Sequence, residues 1–214
     1  YNDFSISISQ PLKVGKNSKL SASAALHFKE SDSYFSDINL ISHDIRSAVF
    51  NINREKNKNR EITTVQHSLN VVEGLDDGEN AYFKYKGKYQ KQKLLSESTM
   101  LKYMGEIQLA EEKIISSEEY VLGGISSLRG YDEGVISGES GYLIQLELMK
   151  QITKRLNQSI FIDFGGVDRA DLDSETLGSL GTASRIKITD NLSGDFVLGI
   201  PLNNDYDPIL HFSA

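Results

Sequence analysis

Residues 4–12 read Phe-Ser-Ile-Ser-Ile-Ser-Gln-Pro-Leu, and Leu20 to Phe28 reads Leu-Ser-Ala-Ser-Ala-Ala-Leu-His-Phe. In both, apolar side chains largely alternate with polar ones at a period of two. Successive side chains of a strand point to opposite faces, so such a run has one apolar and one polar face. Phe4, Ile6, Ile8 and Leu12 share one face, opposite Ser5, Ser7 and Ser9. Leu20, Ala22, Ala24, Leu26 and Phe28 share another, opposite Ser21, Ser23 and His27. Working outward, the same parity recurs. Phe83, Tyr85 and Tyr89 oppose Lys84, Lys86 and Lys88; Ile144, Leu146 and Leu148 oppose Gln145 and Glu147. Ile160, Ile162 and Phe164 oppose Phe161 and Asp163, and Phe196, Leu198 and Ile200 form a last short face.

Polar punctuation separates these runs at Lys16-Asn17-Ser18, Arg54 to Glu61, Asp76-Asp77-Gly78 and Asn203-Asn204-Asp205. The count is about eleven strands of roughly 8–12 residues, the length that crosses a bilayer at a tilt. The chain is all-β, with no useful helical period and no shift in composition that marks a second domain.

Alternation alone serves a soluble sandwich and a membrane barrel equally, since a lysine face is solvated outside one and inside the other. Two features favour an antiparallel transmembrane β-barrel. Soluble strands usually have about 5–6 residues, and these are longer. The apolar faces also carry many aromatics (Phe4, Phe28, Phe50, Phe83, Tyr85, Tyr89, Phe164) suited to interfacial girdles. Mean hydropathy of −0.34 does not speak against this, because lumen residues dilute the average.

Composition narrows function. The 214 residues carry 23 basic and 30 acidic side chains, net −7, which argues against a nucleic-acid binder. Without cysteine there is no thiol chemistry, and the four histidines (His27, His43, His67, His211) lack metal-ligand spacing. No nucleotide-binding or nucleophile-elbow motif is present. The reading is of a protein that is not an enzyme, with no catalytic residue, metal or cofactor.

Residues 116–141 break the strand pattern: SSEEYVLGGISSLRGYDEGVISGESG. Six glycines sit among Tyr120, Val121, Leu122, Ile125, Leu128, Tyr131, Val135 and Ile136. Loops longer than ~12–15 residues are usually functional or disordered, and this one is too apolar to lie in water. It should pack against something, with Gly123-Gly124 and Gly130 permitting positive φ or close approach. Arg129 lies at its centre and wants a carboxylate in bidentate geometry. Parity directs Asp163 away from the apolar face, hence into a lumen. By spacing alone the blander reading comes first: a solvated loop arginine and an ordinary strand residue.

The motifs change that balance. Leu122-Gly123-Gly124, Leu128-Arg129-Gly130-Tyr131, Ser137-Gly138-Glu139-Ser140-Gly141 and Glu147-Leu148 resemble the signature of two-partner secretion transporters of the haemolysin-activator type, within the Omp85 superfamily. Phe161, Asp163 and Gly165 match the superfamily's Phe-x-Asp-x-Gly motif one strand later, in the expected order. The opening Phe4 to Leu12 and the run from Arg46 are also similar, so nearly the whole chain is covered. The resemblance implies an outer-membrane barrel of roughly sixteen strands in a Gram-negative bacterium. It implies a long loop folded into the pore, with its Arg-Gly-Tyr tip docked at the aspartate motif. POTRA domains ahead of the barrel would receive an exoprotein partner in an extended state, and the barrel wall would meet outer-membrane lipid. It makes the Arg129–Asp163 pairing the favoured one. The chain is expected to be a C-terminal barrel portion without its POTRA domains and with its final strand incomplete after Pro208. Two alternatives stay open: an assembly-type Omp85 protein that inserts other barrels, and a soluble β-rich binding module whose lysine face meets an acidic partner.

Overall fold

The computed structural model describes residues 2–35, 38–74, 81–111, 114–170, 172–189 and 191–213, with the side chains of 2, 31–35, 38–44 and 74 set aside. The turn at Asp76-Asp77-Gly78 lies outside these described residues.

Strands β1 (Asn2–Gly15), β2 (Ser18–Phe35), β3 (Ile38–Lys58), β4 (Glu61–Gly74), β5 (Tyr82–Leu94) and β6 (Thr99–Ala110) form consecutive antiparallel pairs. A long excursion follows: a single 3-10 turn at Ser116–Glu118, then β7 (Tyr120–Leu122) and β8 (Ile136–Gly138), which pair only with each other. The main sheet resumes with β9 (Ser140–Thr153), β10 (Leu156–Arg169), β11 (Leu172–Lys187), β12 (Ser193–Pro201) and β13 (Ile209–Ser213). Since β6 pairs with β9, the main sheet is one eleven-stranded antiparallel meander with β1 and β13 at its edges. The stretch at 116–141 therefore contains a small hairpin of its own, and its last two residues belong to β9.

Parity holds across the register. Phe4 stands opposite Phe28, Phe50 opposite Leu69, Leu69 opposite Tyr85, Leu148 opposite Ile160, and Phe196 opposite Phe212. These side chains are exposed or half-buried and form one continuous apolar outer face. Cross-strand ring pairs tie it together, at 6.1 Å for Phe4 and Phe28 and 5.0 Å for Phe196 and Phe212. Tight turns join the strands at one end. At Asn59-Arg60 both residues have positive φ (55° and 62°), the backbone of a two-residue turn whose twist matches its flanking strands.

The apolar core lies between the excursion and the inner face of the sheet. Tyr120, Leu122, Leu128, Tyr131 and Ile136 of the excursion pack on Leu143, Val167 and Leu177 of the wall. This answers the sequence problem of too many apolar groups in one loop. It also changes the lysine face: Lys84 does not line an open surface but is only 1 % exposed, covered by the root of the loop.

Candidate functional site

The tip of the loop is built by its glycines. Gly123 and Gly124 take φ of 113° and 95°, and the Gly124 N–H donates to the Tyr131 carbonyl at 3.1 Å, closing the tip on itself. Side chains rarely adopt such angles, and the place a Cβ would occupy at Gly124 is filled by the Glu133 carboxylate. That carboxylate accepts the Ile125 N–H at 3.1 Å. Gly130, at φ 94°, lays its backbone directly on Gly199 of β12, 3.0 Å from where its Cβ would be.

With the tip so shaped, Arg129 reaches the wall. Its Nε donates to Asp163 Oδ2 at 2.8 Å and its Nη2 to Oδ1 at 2.8 Å, a two-pronged geometry that suits guanidinium and carboxylate planes. The Arg129 backbone N–H also donates to Oδ2 at 3.3 Å. Nη1 turns to Glu147 Oε2 at 3.1 Å, and the guanidinium carbon lies 3.6 Å from the centroid of the Phe161 ring. Asp163 is fully buried. Burial pulls the Arg129 pKa down, but the hydrogen bonds and charge of Asp163, with help from Glu147, more than offset it and hold the guanidinium above its ordinary range. Next to it, the Tyr131 hydroxyl donates to the Gly178 carbonyl at 2.7 Å, and its ring meets Tyr206 edge-on at 5.0 Å. Burial raises the phenol pKa.

The remaining motif residues serve close packing. Leu128 is buried in the core beside Arg129. A Cβ on Gly138 would meet the Asp168 carbonyl, one on Gly141 the Tyr120 ring, and one on Gly165 the Leu122 side chain. The structure thus brings Arg129, Phe161 and Asp163 into contact, while Gly138, Gly141 and Gly165 border the stem and core.

Several participants get no role from motif reading, although Glu147 lies within one of the motifs. Register puts Glu147 opposite Phe161 and Gln145 opposite Asp163, so both project beside the arginine. Gln145 Nε2 donates to the Ser127 carbonyl at 2.5 Å. The parity of Gln145 and Glu147 was legible; their alignment against β10 was not. A second anchor lies at the root of the loop. Lys84 of β5 pairs with the Glu118 carboxylate and donates to its carbonyl at 3.2 Å. Gln108 of β6 donates to the carbonyls of Glu118 and Glu139, both at 3.0 Å, clamping the outgoing and returning chains together. Among the described residues no group of three or more His, Asp or Glu side chains is placed to hold a metal ion.

Residues 2–188 match the family described as haemolysin secretion/activation protein ShlB/FhaC/HecB. The chain belongs to that family. Its resemblance to two-partner secretion transporters of the Omp85 superfamily stands, and with it an outer-membrane β-barrel of a Gram-negative bacterium; the soluble-module alternative falls away. Solved structures share the fold. CdiB from Escherichia coli superposes with a TM-score of 0.88 at 18 % identity, covering 98 % of this chain and 44 % of that one. CdiB from Acinetobacter baumannii gives 0.85 at 17 %, covering 98 % and 41 %. BamA from Haemophilus ducreyi lacking POTRA domains 1–3 gives 0.58 at 11 %, covering 98 % and 61 %. The chain therefore spans under half the length of the CdiB structures it matches. Among curated proteins no sequence matches.

Proposed function

We propose that this chain is the C-terminal barrel portion of a two-partner secretion transporter, a pore through which a partner exoprotein crosses the outer membrane in an extended state. POTRA domains of the same parent chain deliver that partner. The loop at 116–141 is the resting plug of the pore, and Arg129 on Asp163 is the latch that fixes its position. One observation carries this reading: a loop arginine makes two 2.8 Å bonds to a fully buried carboxylate on the inner wall. Unpaired charges are rarely kept in such a place, so the wall is built to receive the loop. Family membership supports the transport role. The polar inner rows, such as Ser21, Asn53, Gln66 and Lys88, offer hydrogen bonds to an extended backbone. Flow through the pore is passive.

The test is Arg129→Ala in the full-length transporter, read in two ways. Secretion of the partner exoprotein should fall, and channels in planar bilayers should open more often without ligand. Normal secretion together with unchanged resting conductance would overturn the latch.

A further inference from the structure

The outer face carries a two-part site that neither the loop nor the pore uses. Near the tight-turn end, β3 places Arg54, Lys56 and Lys58 on the same face as Phe50 and Ile52. The register sets Lys56 opposite Thr63 and Thr63 opposite Lys91, with Lys58 opposite Glu61 and Glu61 opposite Lys93. Five cations thus surround one carboxylate. Glu61 is already engaged by Lys91 at 3.0 Å and Lys93 at 3.1 Å. Among the described residues, Arg54, Lys56 and Lys58 have no carboxylate partner, although they neighbour one another on one face. Like charges so arranged repel unless an anion sits among them. They border a cleft of about 480 Å³.

Val65 lines that cleft and also a second one, an apolar furrow of about 440 Å³ leading toward the middle of the wall. Its floor dips at Gly105, while Gly87 beside it is covered by the Tyr85 hydroxyl and Ile107, and its sides are Tyr85, Tyr89, Ile107 and Ile144. A Cβ on Gly105 would touch nothing within 4 Å, so the depression is open space on the lipid side. A cationic cleft continuous with an apolar furrow suits a ligand with an anionic head and a hydrocarbon tail. Neither an acidic peptide nor a free phosphate would use both parts.

Short turns of outer-membrane barrels face the periplasm, where the leaflet is phospholipid. Tyrosines such as Tyr89, at the junction of cleft and furrow, suit the headgroup level. We propose that β3 to β6 form a binding site for one anionic phospholipid of the periplasmic leaflet, its phosphate among Arg54, Lys56 and Lys58 and one acyl chain over Gly105. The site depends on the orientation of the barrel in the membrane and not on secretion, so a transport-dead variant still tests it.

The experiment is native mass spectrometry of the detergent-solubilised full-length transporter, offered equimolar phosphatidylglycerol and phosphatidylethanolamine with identical acyl chains and, in a parallel sample, lipid A. The expected result is retention of phosphatidylglycerol by on the order of tenfold, since each surface cation adds severalfold to the attraction. Arg54→Gln with Lys56→Gln and Lys58→Gln should bring the two lipids near parity. Gly105→Leu, whose Cβ meets nothing within 4 Å, should lower retention of both lipids and leave their ratio unchanged. Heat-modifiable migration on gels reports folding of each variant. Raising ammonium acetate from about 0.1 to about 1 M on the unaltered protein shortens the screening length from ~10 to ~3 Å and must erode the preference. No preference in the unaltered protein, a preference that survives the triple substitution or high salt, or stronger retention of lipid A at the same residues would each overturn the assignment.

Discussion

The Arg129–Asp163 contact can be tested by a thermodynamic cycle. Asp163 is 0 % exposed, and its partners are the two Arg129 side-chain bonds at 2.8 Å and the backbone bond at 3.3 Å. Removing one member of such a pair typically costs ~3–5 kcal/mol, because the other charge is left without compensation. The two single variants are not equal. Asp163→Asn leaves Arg129 with Glu147 at 3.1 Å and the Phe161 ring at 3.6 Å, and should fall below that range. Arg129→Met strands a fully buried carboxylate and should reach the lower part of it. At ~1.4 kcal/mol per decade, ~3 kcal/mol is about a hundredfold change in how often the tip leaves the wall. A reporter is at hand: Leu128 is fully buried next to the arginine, and the chain has no native cysteine. In a Leu128→Cys background, the rate of maleimide labelling of full-length protein in membranes measures tip release. It should rise roughly a hundredfold with Arg129→Met and less with Asp163→Asn. The double variant should label more slowly than Arg129→Met alone, since no buried charge remains. Strictly additive effects, or an unchanged rate in Arg129→Met, would refute the reasoning.

Tyr131→Phe removes only the 2.7 Å bond to the Gly178 carbonyl, worth about 1 kcal/mol, so labelling at Leu128→Cys should rise only about fivefold. Gly199→Val inserts a branched side chain where Gly130 now rests on β12; secretion should fall as with Arg129→Ala although every charged partner is intact. Lys84→Met should free the root of the loop and not its tip, because Glu118 is a quarter exposed and can return to water. A cysteine at Ile136 should then label faster while one at Leu128 does not.

The strands were legible because their signal is local. Parity at Phe4, Ile6 and Ile8, or at Ile160, Ile162 and Phe164, needs no knowledge of neighbours, and the eleven strands of the main sheet follow from it. The loop was legible as an anomaly: glycines that permit turns, beside leucines and tyrosines that cannot remain in water. Parity also reached the side of the sheet on which Asp163 lies. It could not reach the partners of Glu147, Gln145, Gly178 or Gly199. Their roles depend on how β9, β11 and β12 align with β10 and with the tip, and alternation is indifferent to a shift of two residues. Lys84 was read as part of a solvated face for the same reason. Its own strand looks regular, and only the start of the loop, 34 residues further along the chain, buries it beneath Glu118. The hairpin of β7 and β8 was missed because three-residue strands fall below any periodic signal.

The chemistry of the tip also explains why a buried ion pair is used where hydrophobic contact is already plentiful. Five apolar side chains of the loop lie on the wall, and such contacts are non-directional. On a surface whose rows repeat every second residue, they would tolerate a slide to the next row. The guanidinium fork does not, because both prongs must meet one carboxylate at 2.8 Å. The Gly130–Gly199 approach sets the distance from the wall, and the Tyr131 hydroxyl sets the position along β11. A buried pair adds little net stability over an apolar substitute, since desolvation offsets most of its attraction. What it adds is a single register. On the proposed reading of the loop as a resting plug, that combination is what it needs: adhesion from leucine and tyrosine, and position from one arginine and one aspartate.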